Sequence, residues 1–210
     1  MEAANPIALR FSIEHPFNKG FHLWNKAPAY NKQLYTQKQE VSAENTTAEQ
    51  SAITSSEPTY TVVKDGIPSP RVELTGQISG VDVSVIYGSP SVKGRDIWGA
   101  LVPYGKVWRT GANEATIIKL GGDVVVEGQS LPAGQYAIFT LNEEDKSTVI
   151  FNKEYEQWGA YDYDEAKDAI RVKVAPKGLE ESVEKMDFVI EGNQLILRWA
   201  DRAIPLGISA

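Results

Sequence analysis

The sequence predicts an all-β protein: an antiparallel β-sandwich, jelly-roll or immunoglobulin-like, preceded by a poorly ordered N-terminal segment. Three observations lead there. Short runs of β-branched and aromatic residues recur at the spacing of about 8–12 residues typical of sandwiches and barrels. Gly, Pro, Asn and Asp separate them, in a chain with 17 Gly and 11 Pro. No stretch of three helical turns carries an apolar stripe. A closed barrel is the alternative that shares this pattern.

The first element is not a strand. Residues 43–57, AENTTAEQSAITSSE, are small and polar without a period, and bury too little apolar surface to offset the entropy of ordering a backbone. Upstream, Phe11, Phe17, Phe21, Trp24, Tyr30 and Tyr35 are scattered without helical or strand spacing. Residues 1–58 are therefore expected to be disordered or loosely structured, with a β domain over 59–210. Both histidines, His15 and His22, fall in the first part. Arg10 follows Ile7-Ala8-Leu9 directly, so the apolar core of about 7–15 residues that a secretory signal needs is not visible.

Strands follow. Val81, Val83, Val85 and Tyr87 alternate with Asp82, Ser84 and Ile86, the period of a half-buried strand. Residues 114–120 and 123–127 flank Gly121-Gly122, which reads as a hairpin. The turn at 131–134 leads into 135–141, and NEEDK at 142–146 leads into 147–152. Strands at 169–174, 187–191 and 194–199 follow, and a turn at 200–202 precedes 203–208. Short helical pieces are expected at 94–101 and 153–158. Alternation points Val83, Val85, Ile118, Val124, Val126, Ile138, Ile150, Val172, Phe188, Leu195 and Leu197 inward. It leaves the face of Ala137 and Phe139 undecided.

Composition then narrows function. With 28 acidic and 21 basic residues the net charge is −7, so no nucleic-acid footprint is expected. The absence of cysteine excludes disulfides, thiol catalysis and zinc–thiolate sites. The absence of histidine after His22 excludes Ser–His and Cys–His nucleophiles and histidine metal sites from the β domain. No metal site and no cofactor is predicted, because neither a P-loop nor a Rossmann fingerprint is present. No apolar run approaches the roughly 18 residues of a membrane helix. Any general acid or base is a carboxylate, a tyrosine or a lysine.

Three segments interrupt the alternation. SPSVKGRD at 89–96 carries Lys93 and Arg95, which suit a carboxylate or phosphate, or simply a solvated loop. VPYGKVWRTGANEAT at 102–116 crowds Tyr104, Trp108, Arg109, Asn113 and Glu114 around Gly105 and Gly111. That set orients a polar ligand or forms an internal network with Arg109 paired to Glu114. KEYEQWGAYDYDEAKDAIR at 153–171 interleaves Tyr155, Trp158, Tyr161 and Tyr163 with Glu154, Glu156, Asp162, Asp164 and Asp168. Rings beside carboxylates are the parts of a sugar cleft, of a glycosidase acid–base pair, or of an aromatic loop packed over a sandwich end. An EF-hand is excluded because its spacing fails at Ala166 and Lys167.

SPSVKGRDIWGALVPYGKVWRTGANEAT at 89–116 resembles the signature of a bacterial family, domain of unknown function 2911. Residues 123–141, 149–174 and the strand carrying Trp199 continue the likeness, which covers about 70–210. The resemblance implies an all-β fold and a periplasmic or secreted setting, since many members look exported, often with signal or lipoprotein leaders. Neither a leader nor a lipobox cysteine is visible here. It carries no activity. The signature falls on Lys93, Gly94, Arg95, Trp108, Arg109, Gly111, Asn113, Thr116, Gly134, Tyr136, Asn152, Trp158, Gly159, Asp168 and Arg171. A signature holding Arg, Asn and Trp implies that these loops form one site.

The sequence reading is therefore a non-catalytic binding module for a polar small molecule or glycan. Its candidate contacts are Lys93, Arg95, Tyr104, Trp108, Arg109, Asn113, Glu114, Tyr136, Asn152, Trp158, Tyr163, Asp168 and Arg171. The three segments are expected to meet at one end or face of the sandwich. The alternatives are a carboxylate-based hydrolase or isomerase using Glu114 or Asp168 with Arg109, and a protein-interaction domain.

Overall fold

A computed structural model describes residues 57–210 of the chain. The segment expected over residues 1–58, with His15 and His22, lies outside the described residues apart from Glu57 and Pro58. The strands are β1 (Thr59–Lys64), β2 (Arg71–Ile78), β3 (Val81–Gly88), β4 (Val107–Trp108), β5 (Thr116–Leu120) and β6 (Val124–Val126). They continue with β7 (Gln129–Leu131), β8 (Gly134–Asn142), β9 (Ser147–Asn152), β10 (Asp168–Val174), β11 (Lys177–Glu191) and β12 (Gln194–Ser209). The fold is all-β, in two antiparallel sheets. The larger has the order β1-β2-β3-β5-β8-β9-β10, with β4 paired to β8 beyond the end of β5; the smaller is β11-β12-β6-β7.

Turn chemistry sets the local register. Ser79-Gly80 joins β2 to β3 with φ of 52° and 81°, and Glu127-Gly128 joins β6 to β7 with 47° and 82°. Positive φ at both central positions is the type I′ geometry, whose twist matches a two-residue hairpin. The Gly121-Gly122 pair corrects the sequence reading. It does not close a hairpin: β5 pairs with β3 and β8, whereas β6 pairs with β7 and β12. The two glycines carry the chain from one sheet to the other, with the Gly121 N–H donating to the Asp82 carbonyl at 2.9 Å. A breaker between strand-like runs fixes that a turn occurs, not which sheet the next strand joins.

Two further expectations are corrected. The runs at 194–199 and 203–208 are one strand, β12, and the supposed turn is a bulge in which Ala200, at φ 52°, faces Val183 with register breaks on either side. Neither 94–101 nor 153–158 is helical. Gly94 and Gly99 hold φ of 67° and 85°, which an α-helix does not tolerate. The single helical turn among the described residues is Glu165–Lys167, capped by Asp164.

Every residue predicted to face inward is buried, but not all share one core. Between the sheets lie Val85, Ile118, Ile138, Phe151, Phe188, Leu197 and their neighbours. A second cluster, Ala115, Ala137, Phe139 and Ile150, is covered by Val107, Tyr155, Ala160 and Tyr163. Ile150 therefore points away from the main core. Ala137 and Phe139 join it, because alternation puts them opposite Tyr136 and Ile138. β8 and β9 are covered on both faces, so their sequences, GQYAIFTLN and STVIFN, lose the polar half of the alternation. The cover on the second face is the segment 153–163, and that placement brings it to the 109–116 loop.

Candidate functional site

The two loops are joined through backbone. Ala115 N–H donates to the Gln157 carbonyl at 3.0 Å, and Gly159 N–H to the Asn113 carbonyl at 3.0 Å. Between them Glu114 and Trp158 form an antiparallel bridge. The 109–116 loop is in turn docked on the end of β3, where Ala112 N–H donates to the Gly88 carbonyl at 3.2 Å. A Cβ on Gly88 would lie 2.1 Å from the Ala112 carbonyl oxygen, so only glycine permits this approach. Arg109, Asn113, Glu114 and Trp158 are thus brought together.

Within this group Arg109 is unlike the other arginines. Its guanidinium makes no hydrogen bond or ion pair among the described residues, and its Nε is buried with no partner. Burial lowers its pKa from the ordinary guanidinium value, and the neighbouring Tyr161 hydroxyl pulls the other way. The internal pair that one reading offered, Arg109 with Glu114, does not form. Glu114 Oε2 lies 3.4 Å from Arg71 Nη1 instead. The following residue, Thr110, holds φ +55°, an outlier for a β-branched side chain. Its conformation is supported by Thr116 Oγ1, which donates to the Thr110 carbonyl at 2.7 Å. Asn113 is also left-handed, at φ +64°. Strain of this kind tends to concentrate where a site must be held in one geometry. Gln157 adds a second buried group without a partner, its Oε1.

Asn152, Tyr163, Asp168 and Arg171 form a closed network. Asn152 Nδ2 donates to the Asp164 carbonyl at 2.9 Å and to Asp168 Oδ1 at 2.7 Å, while its Oδ1 accepts from Glu154 N–H at 2.9 Å. Asp168 Oδ2 accepts from the Tyr163 hydroxyl at 2.8 Å and from Arg171 Nε at 2.6 Å. Arg171 Nη2 donates to the Tyr163 oxygen at 2.6 Å and pairs with Glu165 at 3.2 Å. The Tyr163 ring meets Phe139 edge-on at 5.0 Å. The network pins both ends of the covering segment to β9 and β10. Its groups satisfy one another, so the arrangement reads as a latch.

The latch has a pH signature. The Tyr163 hydroxyl is pushed up to about 12, by burial first and then by its bond to the Asp168 carboxylate. Burial raises Tyr87 to about 12 as well. A tyrosine whose pKa is higher in the fold than its ordinary value of 10.0 stays neutral while the unfolded chain ionises. Stability is then intact below pH 10 and falls between about pH 10 and 12. Denaturant midpoints are expected to hold level to about pH 9.5 and decline above it, less steeply in Tyr163→Phe.

The remaining candidates lie elsewhere. Trp108 stacks on Trp199 at 5.8 Å and meets Trp98 edge-on at 5.9 Å. Arg202 lies over Trp98 at 5.1 Å and Tyr104 at 5.7 Å and donates to the Tyr104 hydroxyl and the Glu143 carbonyl. Tyr104 and Trp108 thus belong to an aromatic cluster that ties β4 to β12. Arg95 donates to the Val92 and Ser91 carbonyls of its own turn, and Lys93 N–H to Glu184 Oε1 of β11. Tyr136 belongs to the core between the sheets, its hydroxyl donating to the Pro132 carbonyl at 2.9 Å. Two of the three segments therefore meet through hydrogen bonds. The first, with Lys93 and Arg95, spends its own on its turn and on β11.

The sequence reading missed Arg71, Trp98 and Arg202 as parts of these clusters, and noted Tyr161 and Trp199 without counting them among the candidate contacts. For Arg71 and Arg202 no local signal existed, because their partners are distant in sequence. Between the sheets a cavity of about 20 Å³, lined by Thr110, Thr140 and aliphatic residues including Leu195 and Ile204, has room for about one water. That cavity is too small for a sugar or an organic acid. A family model described as "Protein of unknown function (DUF2911)" matches residues 69–208. No curated protein and no solved structure matches the chain.

Proposed function

Because the chain belongs to the DUF2911 family, an all-β family whose description carries no activity, we propose a function from the geometry alone. The domain is a non-catalytic binding module for a polar small molecule or glycan, and Arg109 is its recognition group. One observation carries this: a half-buried arginine whose buried Nε has no partner, held beside the half-buried Trp158 loop by main-chain bonds. An ion removed from water without a partner is costly, and a ligand acid would supply that partner through charge-assisted hydrogen bonds. The Trp158 ring offers an apolar face of the kind that packs on sugars.

The charge balance of the neighbourhood narrows the ligand. Residues 153–168 hold Glu154, Glu156, Asp162, Asp164, Glu165 and Asp168 against Lys153 and Lys167. A single guanidinium in that field suits a monoanionic carboxylate, such as an acidic sugar or organic acid, better than a dianion. The hydrolase reading has less support. Glu114 faces Arg71, and Asp168 accepts from Asn152, Tyr163 and Arg171. Both carboxylates are thus taken up by cations or donors of the protein itself.

The test is a melting-temperature screen of the full chain against uronic acids, small carboxylates, neutral sugars and phosphate. A ligand at a hundred times its Kd adds about 2.7 kcal/mol, or about 5–10 °C at this size. The expected hit is a carboxylate, and its shift disappears in Arg109→Met and shrinks in Trp158→Ala. A shift that survives Arg109→Met places the ligand elsewhere.

A further inference from the structure

Three tyrosines lie on the segment that covers the second core, and two of them serve the fold. Tyr155 and Tyr163 pack on that core, and Tyr163 is latched to Asp168. Tyr161 does neither. It is 61% exposed, and among the described residues its ring meets no other ring and its hydroxyl makes no hydrogen bond. We propose that Tyr161 is a sugar-stacking platform and that the ligand is a pyranose uronic acid, its ring lying on Tyr161 while its carboxylate meets Arg109; this rests on Arg109 being the recognition group.

Position comes first. Gly159, at φ +68°, has no side chain, and the place where its Cβ would stand is 3.1 Å from the Tyr161 ring carbons Cδ2 and Cε2 and 3.9 Å from Arg109 Nη1. The ring edge and the guanidinium thus lie within 4 Å of one point, side by side. Both reach solvent. The ring is mostly exposed, and of the guanidinium nitrogens only Nε is buried without a partner. Nη1 and Nη2 bond to no described residue and are open to an incoming anion. The backbone beneath is fixed, because Gly159 N–H is held by the Asn113 carbonyl and Ala160 packs on the second core.

Chemistry comes second. A hexuronic acid carries its carboxylate on a carbon bonded directly to the sugar ring, so one molecule presents a charge and an apolar C–H face at neighbouring positions. The carboxylate accepts charge-assisted hydrogen bonds from Arg109. The C–H face, weakly positive, lies on the negative face of the tyrosine ring. An open-chain acid has the charge without the face, and a neutral sugar has the face without the charge. An aromatic acid has a flat face of the wrong sign for direct stacking. The platform is open on its solvent side, which leaves room for the uronic acid to be one residue of a longer glycan.

The test is calorimetric titration of the full chain with the methyl glycosides of glucuronic and galacturonic acid, methyl glucoside, gluconate and benzoate. One of the two uronosides is expected to bind about tenfold more tightly than the glucoside, gluconate or benzoate. Tyr161→Ala is expected to weaken that uronoside about tenfold, the scale of one lost ring contact, and to leave gluconate within about twofold. Tyr161→Phe is expected to stay within about threefold of the unaltered protein, because the ring does the stacking. An exposed ring without hydrogen bonds is dispensable to the fold, so Tyr161→Ala is expected to keep its melting temperature within about 2 °C. A uronoside weakened less than about twofold by Tyr161→Ala, yet abolished by Arg109→Met, overturns the platform and leaves the binding reading standing. Equal losses of uronoside and gluconate in Tyr161→Ala also overturn it, since the tyrosine would then support the arginine and not a sugar. Benzoate binding as tightly as the uronoside overturns the sugar assignment. Binding of no carboxylate, or uronoside binding undiminished in Arg109→Met, overturns both the platform and the binding reading.

Discussion

Replacing Asp168 by alanine is expected to lower stability by about 2–3 kcal/mol, a fall in melting temperature of about 5–10 °C. The carboxylate is largely buried and accepts from three side chains, Asn152, Tyr163 and Arg171. Its removal leaves Asn152 Nδ2 with the Asp164 carbonyl alone, and a partly buried guanidinium with only the Tyr163 hydroxyl and the exposed Glu165. The loss exceeds that of a surface ion pair, which is worth about 0–1 kcal/mol, because the network is shielded by the second core beneath it. Amide exchange separates the latch from a merely local contact. In Asp168→Ala the Gly159 and Ala115 amides, which join the two loops, are expected to exchange faster. The β2–β3 amides are expected to change little. Asp168→Asn, which keeps the shape and an acceptor, is expected to lose about half as much.

Gly88→Ala is expected to be more damaging, about 3 kcal/mol or more. Most substitutions of a strand glycine gain a side chain at little steric cost. Here the new Cβ would meet the Ala112 carbonyl oxygen at 2.1 Å, its carbon at 2.9 Å and its nitrogen at 3.2 Å. These are main-chain atoms of the loop that carries Arg109, and they cannot turn aside as a flexible side chain can. Relief requires the loop to leave β3, breaking the bond from Ala112 N–H to the Gly88 carbonyl. Gly178→Ala is the control. No atom lies within 4 Å of its Cβ position, and its melting temperature is expected to stay within about 2 °C.

These two positions show what was legible in the sequence. The alternation of β3 and the apolar runs of β8 and β9 announced strands, and the burial they implied is found. The second core was not announced, since QYAIFTL and VIF read the same whether one face or both are covered. Gly121-Gly122 marked a break in the chain but not the change of sheet. Gly88 offered no signal of its own, because its constraint comes from Ala112, across a contact that only the folded chain makes.

The candidate site was legible to the same degree. Arg109, Asn113, Glu114 and Trp158 were singled out by residue type and are joined by main-chain bonds. The partner of Glu114 was misread, because Arg71 lies on β2 and no spacing rule connects the two. Asn152, Asp168 and Arg171 carried the same residue types as a binding site and proved to satisfy one another. Types of side chain announce a polar cluster; whether it is closed on itself or open to a ligand depends on pairing. Pairing singles out Arg109.

Whether Arg109 is held for a ligand or for the fold is decided by the melting temperature of Arg109→Met without any ligand. The substitution keeps an unbranched apolar stem and removes an unpaired guanidinium whose Nε is buried. Replacing such a charge by an apolar group of similar shape is neutral or stabilising. The expected result is a melting temperature unchanged or up to about 4 °C higher, while Arg171→Met, which breaks the latch, falls by about 5 °C or more. A fall in Arg109→Met as large as that in Arg171→Met would contradict the ligand role: the guanidinium would then be holding the two loops together.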